Sequence, residues 1–157
     1  MLDRRQIHTV IDTLIREARI RSVSDIHITE GMHVWYRIHG CLTQARDVLK
    51  EYDIREVLLG MMNEKQRKQF EDGQDVDFAW QTTDGCRQRV NIFCEQKKIA
   101  ATIRLLNQHI PTLEELKIPT TLYQLSEEPR GIILVTGPTG SGKSTTLAAV
   151  IEAMNQK

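Results

Sequence analysis

An apolar run, Ile132-Ile-Leu-Val-Thr136, passes directly into Gly137-Pro-Thr-Gly-Ser-Gly-Lys-Ser144, and a helix-forming stretch beginning at Lys143 follows at once. The octet fits G-x-x-x-x-G-K-[ST], and its flanks are the strand and helix that such a loop has to join. Each residue type has a physical task. Gly137, Gly140 and Gly142 permit backbone angles that a Cβ would disfavour, so that successive N–H groups can converge on phosphate oxygens. Lys143 is expected to place its ammonium between a β- and a γ-phosphate, and the Ser144 hydroxyl to ligate the Mg²⁺ that travels with the nucleotide. The helix starting at Lys143 adds a dipole that favours the anion. The expected nucleotide contacts are Gly137, Pro138, Thr139, Gly140, Ser141, Gly142, Lys143, Ser144 and Thr145, with ATP and Mg²⁺ as the bound species.

A phosphate loop sits at the carboxyl end of a central strand, and such a strand needs neighbours on both sides. The sequence offers none after the loop. It also offers no acid at the end of a later apolar strand to organise Mg²⁺ and water; Glu152 lies within the helix and points the wrong way. The expectation is the front part of a longer enzyme, ending after the first helix of its nucleotide domain. Ile132–Thr136 should then form a strand in need of a substitute neighbour, with doubtful order beyond Pro129.

Composition narrows the rest. The chain has 157 residues, 40% of them hydrophobic, enough for one ordinary domain or a small one plus part of another. Lys and Arg number 21, as do Asp and Glu, so the charge balance gives no reason to expect a nucleic-acid partner. No apolar run approaches the ~20 residues of a spanning helix. The N-terminus turns straight into an amphipathic pattern instead of a secretory signal, so direct membrane insertion is not expected. Three cysteines, Cys41, Cys86 and Cys94, form no C-x-x-C pair and suit buried thiols in a reducing compartment. His27, His33, His39 and Cys41 match no usual zinc spacing and read as ordinary positions of a strand meander.

Ahead of the loop, Asp3 is placed to cap a first helix with Ile7, Val10, Ile11, Leu14, Ile15 and Ala18 on its buried stripe, and Arg4, Arg5, Asp12, Arg16 and Glu17 outside it. Asp25–Thr29 and Val34–Ile38 alternate as strands around a turn at Gly31, and a short third strand is expected over Cys41–Gln44. Asp53 and Glu56 suggest a capping box, and Glu64–Phe70 a further helix with a solvated basic face. Strand-like runs then cover 76–80, 87–93 and 99–106 with turns at 83–85 and 96–98, which makes an α+β domain with five or six antiparallel strands. Alternation puts Asp25 and His27 on the face opposite Ile26 and Ile28, in a structural role. Pro111, Pro119 and Pro129 punctuate the stretch from 108 to 129, a connector with short helical pieces such as 112–116, where Thr112 and Glu115 again suit a capping box.

Five separated segments now occur in order: Ser24-Asp-Ile-His-Ile28, Arg37-Ile-His-Gly40, Arg89-Val-Asn-Ile-Phe93, Arg104-Leu-Leu106 and Gly137–Thr146. Together they resemble the bacterial secretion and type IV pilus motor ATPases, most closely the PilT-like members that drive twitching motility by retraction. The resemblance spans nearly the whole chain. It implies a PAS-like N-terminal domain over 1–107, a linker over 108–129, and the start of a RecA-like ATPase domain over 130–157. It implies a homohexamer, cytoplasmic but peripheral to the inner membrane through a pilus or secretion platform protein. It also implies that two arginines of the N-terminal domain neutralise triphosphate charge. The matching positions are Arg89 and Arg104, for which guanidinium chemistry is well suited. One departure stands out: the family turn commonly reads Arg-x-Asp-Gly, and here His39 replaces the Asp, which puts the turn geometry in question.

Within the family, a type II secretion or pilus assembly ATPase is the alternative to retraction; the short segment ahead of Ser24 leaves no room for the extra N-terminal domain that such motors often carry. A small-molecule kinase is a rival of another class, but its loop usually sits near the N-terminus. A third reading is a non-hydrolysing nucleotide-binding or oligomerisation module, and the 157 residues by themselves are expected to be inactive.

Overall fold

A computed structural model describes residues 2–45, 49–106, 110–119, 121–126, 128, 130–138 and 141–155. They fall into two compact units, Met1–Leu106 and Asn107–Lys157.

In the first unit, helix α1 (Arg4–Ile20) opens on a reciprocal cap: Gln6 N–H donates to the Asp3 carboxylate and Asp3 N–H to the Gln6 side chain, each at 2.8 Å. Ile7, Val10, Ile11, Leu14, Ile15 and Ala18 are buried, as the spacing requires. Asp12 departs from the expected solvated position and is also buried. Its Oδ2 accepts the Thr83 N–H at 2.9 Å, a long-range bond that satisfies one of the two oxygens of the buried carboxylate.

The remaining elements of this unit are β1 (Val23–Thr29), β2 (Trp35–Ile38), β3 (Cys41–Gln44), α2 (Ile54–Met61), α3 (Glu64–Glu71), β4 (Val76–Gln81), β5 (Arg87–Glu95) and β6 (Lys98–Leu105). β1 starts two residues before expectation, because Ser22 adopts φ 55° and turns the chain sharply out of α1. The six strands form one antiparallel sheet in the order β3-β2-β1-β6-β5-β4, two meanders joined through β1 and β6. The β2–β3 turn keeps a two-residue geometry despite His39: His39 and Gly40 take φ 48° and 84°, the positive pair a tight hairpin demands. Arg37 Nη1 braces that turn by donating to Gly40 O at 3.2 Å.

One sheet face, carrying Ile26, Ile28, Tyr36, Val90, Ile92 and Ile103, joins α1 and α2 in a single apolar core. Burial raises the pKa of the Tyr36 hydroxyl to about 12. Gly60 lets α2 approach α1, since a Cβ there would lie 2.0 Å from Ile7 Cδ1. Ile103, fully buried on a central strand, gives the simplest stability test. Ile103→Ala should cost about 2–5 kcal/mol in chemical denaturation, and a loss under ~1 kcal/mol would mean the sheet and helices do not share this core.

The expected capping box at α2 is only half formed. Asp53 accepts from the Arg55 and Glu56 amides, but Glu56 directs its carboxylate to the Leu2 N–H. Asn63 and Gln66 form a complete box at α3, none of whose residues is buried.

The second unit holds α4 (Thr121–Ser126) and α5 (Lys143–Asn155). Thr112 and Glu115 do exchange bonds, at 2.8 and 3.1 Å, but around a single turn and not a helix. The expected strand at Ile132–Thr136 is not formed. Ile132 and Leu134 are 87% and 80% exposed, and the described residues of this unit contain no second strand to complete a ladder. Helix α5 begins at Lys143, where the loop reading places it.

Candidate functional site

Two glycines of the loop in the second unit take positive backbone angles. Gly137 has φ 150° and Gly142 φ 88°, and a Cβ on Gly137 would come within 2.8 Å of Ser141 Oγ. The Ser141 N–H donates to Pro138 O at 3.3 Å, and the Thr146 N–H closes the first turn of α5 on Gly142 O at 2.9 Å. Lys143 folds back over the loop, donating from Nζ to Gly137 O at 2.7 Å and Pro138 O at 2.6 Å. The ammonium thus lies against the loop that would receive a phosphate, held by carbonyls that an anion could replace. Ser144 and Thr145 are exposed at the start of α5, open to a nucleotide and its metal. Thr139 and Gly140 lie outside the described residues.

In the first unit, alternation sends Arg37, Asp25, Arg104 and Arg89 to the sheet face opposite the core. They form one row across β2, β1, β6 and β5, because the ladders pair Arg37 with Asp25, Asp25 with Arg104, and Arg104 with Arg89. Sequence separation is 15 between the two arginines, yet the β5–β6 ladder sets them directly opposite. Like charges so placed repel unless acids intervene.

Two acids do. Arg104 Nε donates to Asp25 Oδ1 at 2.9 Å, and Arg89 donates from Nε and Nη2 to Asp77 Oδ2 at 3.0 and 2.6 Å. Burial pushes the Asp25 carboxyl up, but the bonds from Arg104 and the Ser24 hydroxyl outweigh it and hold the group below its usual range. The Arg89 bond likewise holds Asp77 down, and Asp77 in turn raises Arg89. His27, next along the same face, is lowered by burial and then by the Arg37 charge, which favours the neutral ring. His33, His39 and Cys41 are spread over the loop before β2, the β2–β3 turn and β3.

Arg89 and Arg104 are marked in the sequence, whereas the pairing of Asp77 with Arg89 and of Asp25 with Arg104 and Arg37 is not. Asp77 sits one strand beyond Arg89, a neighbour that only the β4–β5 register reveals.

The family model described as type II/IV secretion system protein matches residues 1–157. A type IV pilus retraction ATPase of Pseudomonas aeruginosa, PilT, is 35% identical over 92% of this chain and 42% of its own. A twitching motility protein of Neisseria gonorrhoeae is 37% identical over 92% of this chain and 39% of its own. A crystal structure of the pilus retraction motor PilT with bound ADP superposes with a TM-score of 0.79 at 36% identity, over 92% of this chain and 43% of that one. The chain therefore spans about two fifths of the length of these relatives.

Proposed function

This chain belongs to the type II/IV secretion system protein family, and from that premise we propose that it is the front part of an ATP-driven motor that retracts a type IV pilus. The observation that carries the reading is 35% identity across 92% of the chain to a retraction ATPase. In this account the chain divides into an N-terminal domain over 1–107, a linker over 108–129, and the opening of a RecA-like ATPase domain over 130–157.

The phosphate loop grips the nucleotide. Gly137–Gly142, Pro138 excepted, supply backbone N–H groups, Lys143 neutralises the β- and γ-phosphates, and Ser144 holds Mg²⁺, with Thr145 beside it. The exposed Ile132–Thr136 segment becomes a strand when the rest of the ATPase domain provides neighbours. Arg89 and Arg104 add positive charge where it builds up in phosphoryl transfer. Hydrolysis opens and closes the enzyme, and six copies in a ring pass that motion to a platform protein at the inner membrane from the cytoplasmic side. Among the described residues no helix is long and apolar enough to cross a membrane.

Retraction and assembly make opposite predictions in the host bacterium. With Lys143→Ala in the chromosome, a retraction motor leaves pili to accumulate on the surface while twitching stops. Loss of surface pili instead would assign the protein to assembly, and unchanged piliation and movement would reject both.

A further inference from the structure

Arg104 and Arg89 stand opposite one another but are held in different ways. Arg104 reaches its acid through Nε, and neither of its Nη groups has a protein partner among the described residues. Arg89 meets its acid side-on, with Nε and Nη2 both engaged by Asp77. The acids differ too: the Asp25 side chain is 9% exposed and that of Asp77 43%. Asp25 is further constrained through Oδ2, which has Ser24 Oγ at 2.9 Å and Arg37 Nε at 3.8 Å. Arg37 and Arg104 come from the strands on either side of β1, so the carboxylate is gripped from both flanks.

A guanidinium bound through Nε keeps its Nη fork for a second anion. The geometry points to Asp25 as a positioning residue: it fixes Arg104 through Nε on the open sheet face and leaves both Nη groups available to nucleotide phosphate oxygens. The inference rests on the phosphate-contact role proposed above for Arg104. Asp77 plays the opposite part. Its exposed pair with Arg89 is easily exchanged, so Arg89 has to leave Asp77 before its own fork is free.

The test is steady-state Mg²⁺-ATP hydrolysis by the full-length protein. Asp25→Asn keeps the side-chain shape and removes the charge that orients Arg104. It should lower kcat about tenfold while KM stays within about twofold, the pattern of a misplaced transition-state contact. In an Arg104→Ala background the same substitution should add nothing, because Asp25 acts through Arg104. Asp25→Glu, with the carboxylate moved by one methylene, should fall between wild type and Asp25→Asn.

If Arg104→Ala lowers turnover but Asp25→Asn does not, the positioning role is wrong and the arginine assignment stands. An equal Asp25→Asn loss in both backgrounds also overturns the positioning role. If Arg104→Ala changes nothing, the underlying reading fails and this inference with it. Should Asp25→Asn not fold, the wild-type protein decides by NMR. The Arg104 Nε–H signal should remain hydrogen-bonded on adding Mg²⁺-ADP with aluminium fluoride, a mimic of the transferring phosphoryl group, while its Nη signals move, and loss of the Nε–H bond would overturn the proposal.

Discussion

Lys143→Ala in the full-length protein should weaken ATP binding by about 10²–10⁴-fold. Lys143 sits folded over the loop, its Nζ 2.7 Å from Gly137 O and 2.6 Å from Pro138 O. Under the proposed function, those carbonyls give up the ammonium to β- and γ-oxygens of an arriving triphosphate. Two charge-assisted bonds at about 1.5–3 kcal/mol each amount to about 3–6 kcal/mol, and each 1.4 kcal/mol is about a factor of ten in affinity. Folding should be little affected, since the bonds removed are to exposed loop carbonyls. Isothermal titration with ATP and Mg²⁺ measures the effect. Affinity within about threefold of wild type, in a protein with an unchanged melting temperature, would reject the loop as the nucleotide site.

Arg104→Ala should leave ATP affinity within about threefold and lower turnover by about 10²–10³, the range for removing one preorganised donor to a developing charge. The expectation comes from how the side chain is held. Its Nε is anchored at 2.9 Å to Asp25, and the side chain is otherwise 61% exposed, so its outer end can meet a ligand. Arg104→Lys should recover only part of the loss, because an ammonium has no Nε to anchor and no planar fork to present. Comparing kcat and KM for the two variants separates transition-state from ground-state contacts. Unchanged values in both would reduce Arg104 to a surface charge paired with Asp25.

Much of the first unit is legible in the sequence, because its signals are local. The stripe from Ile7 to Ala18 marks a helix face, and alternation through Asp25–Thr29 and Arg87–Phe93 marks strands with one wet side. Long-range pairing is not legible in the same way. Nothing local tells β1 to lie beside β6, yet that junction puts Asp25 against Arg104 and makes the arginine row continuous. Asp12 went unrecognised as a buried residue for the same reason, since its partner Thr83 is 71 positions away. The segment Ile132–Thr136 fails differently. Its composition favours a strand, but a strand is a property of a pair, and propensity alone cannot supply the partner. The turn at Gly137 and Gly142 is legible for a local reason: the motif asks for backbone freedom at those glycines, and both adopt positive φ.

The central claim is that these residues form the nucleotide grip and arginine row of a hydrolysing motor. Its most direct test is phosphate release from ATP by the purified full-length protein, assayed with and without Mg²⁺ beside Lys143→Ala. The account predicts steady Mg²⁺-dependent release from the wild type and none from the variant. A well-folded wild type that releases no phosphate, or a variant that matches its rate, would contradict it.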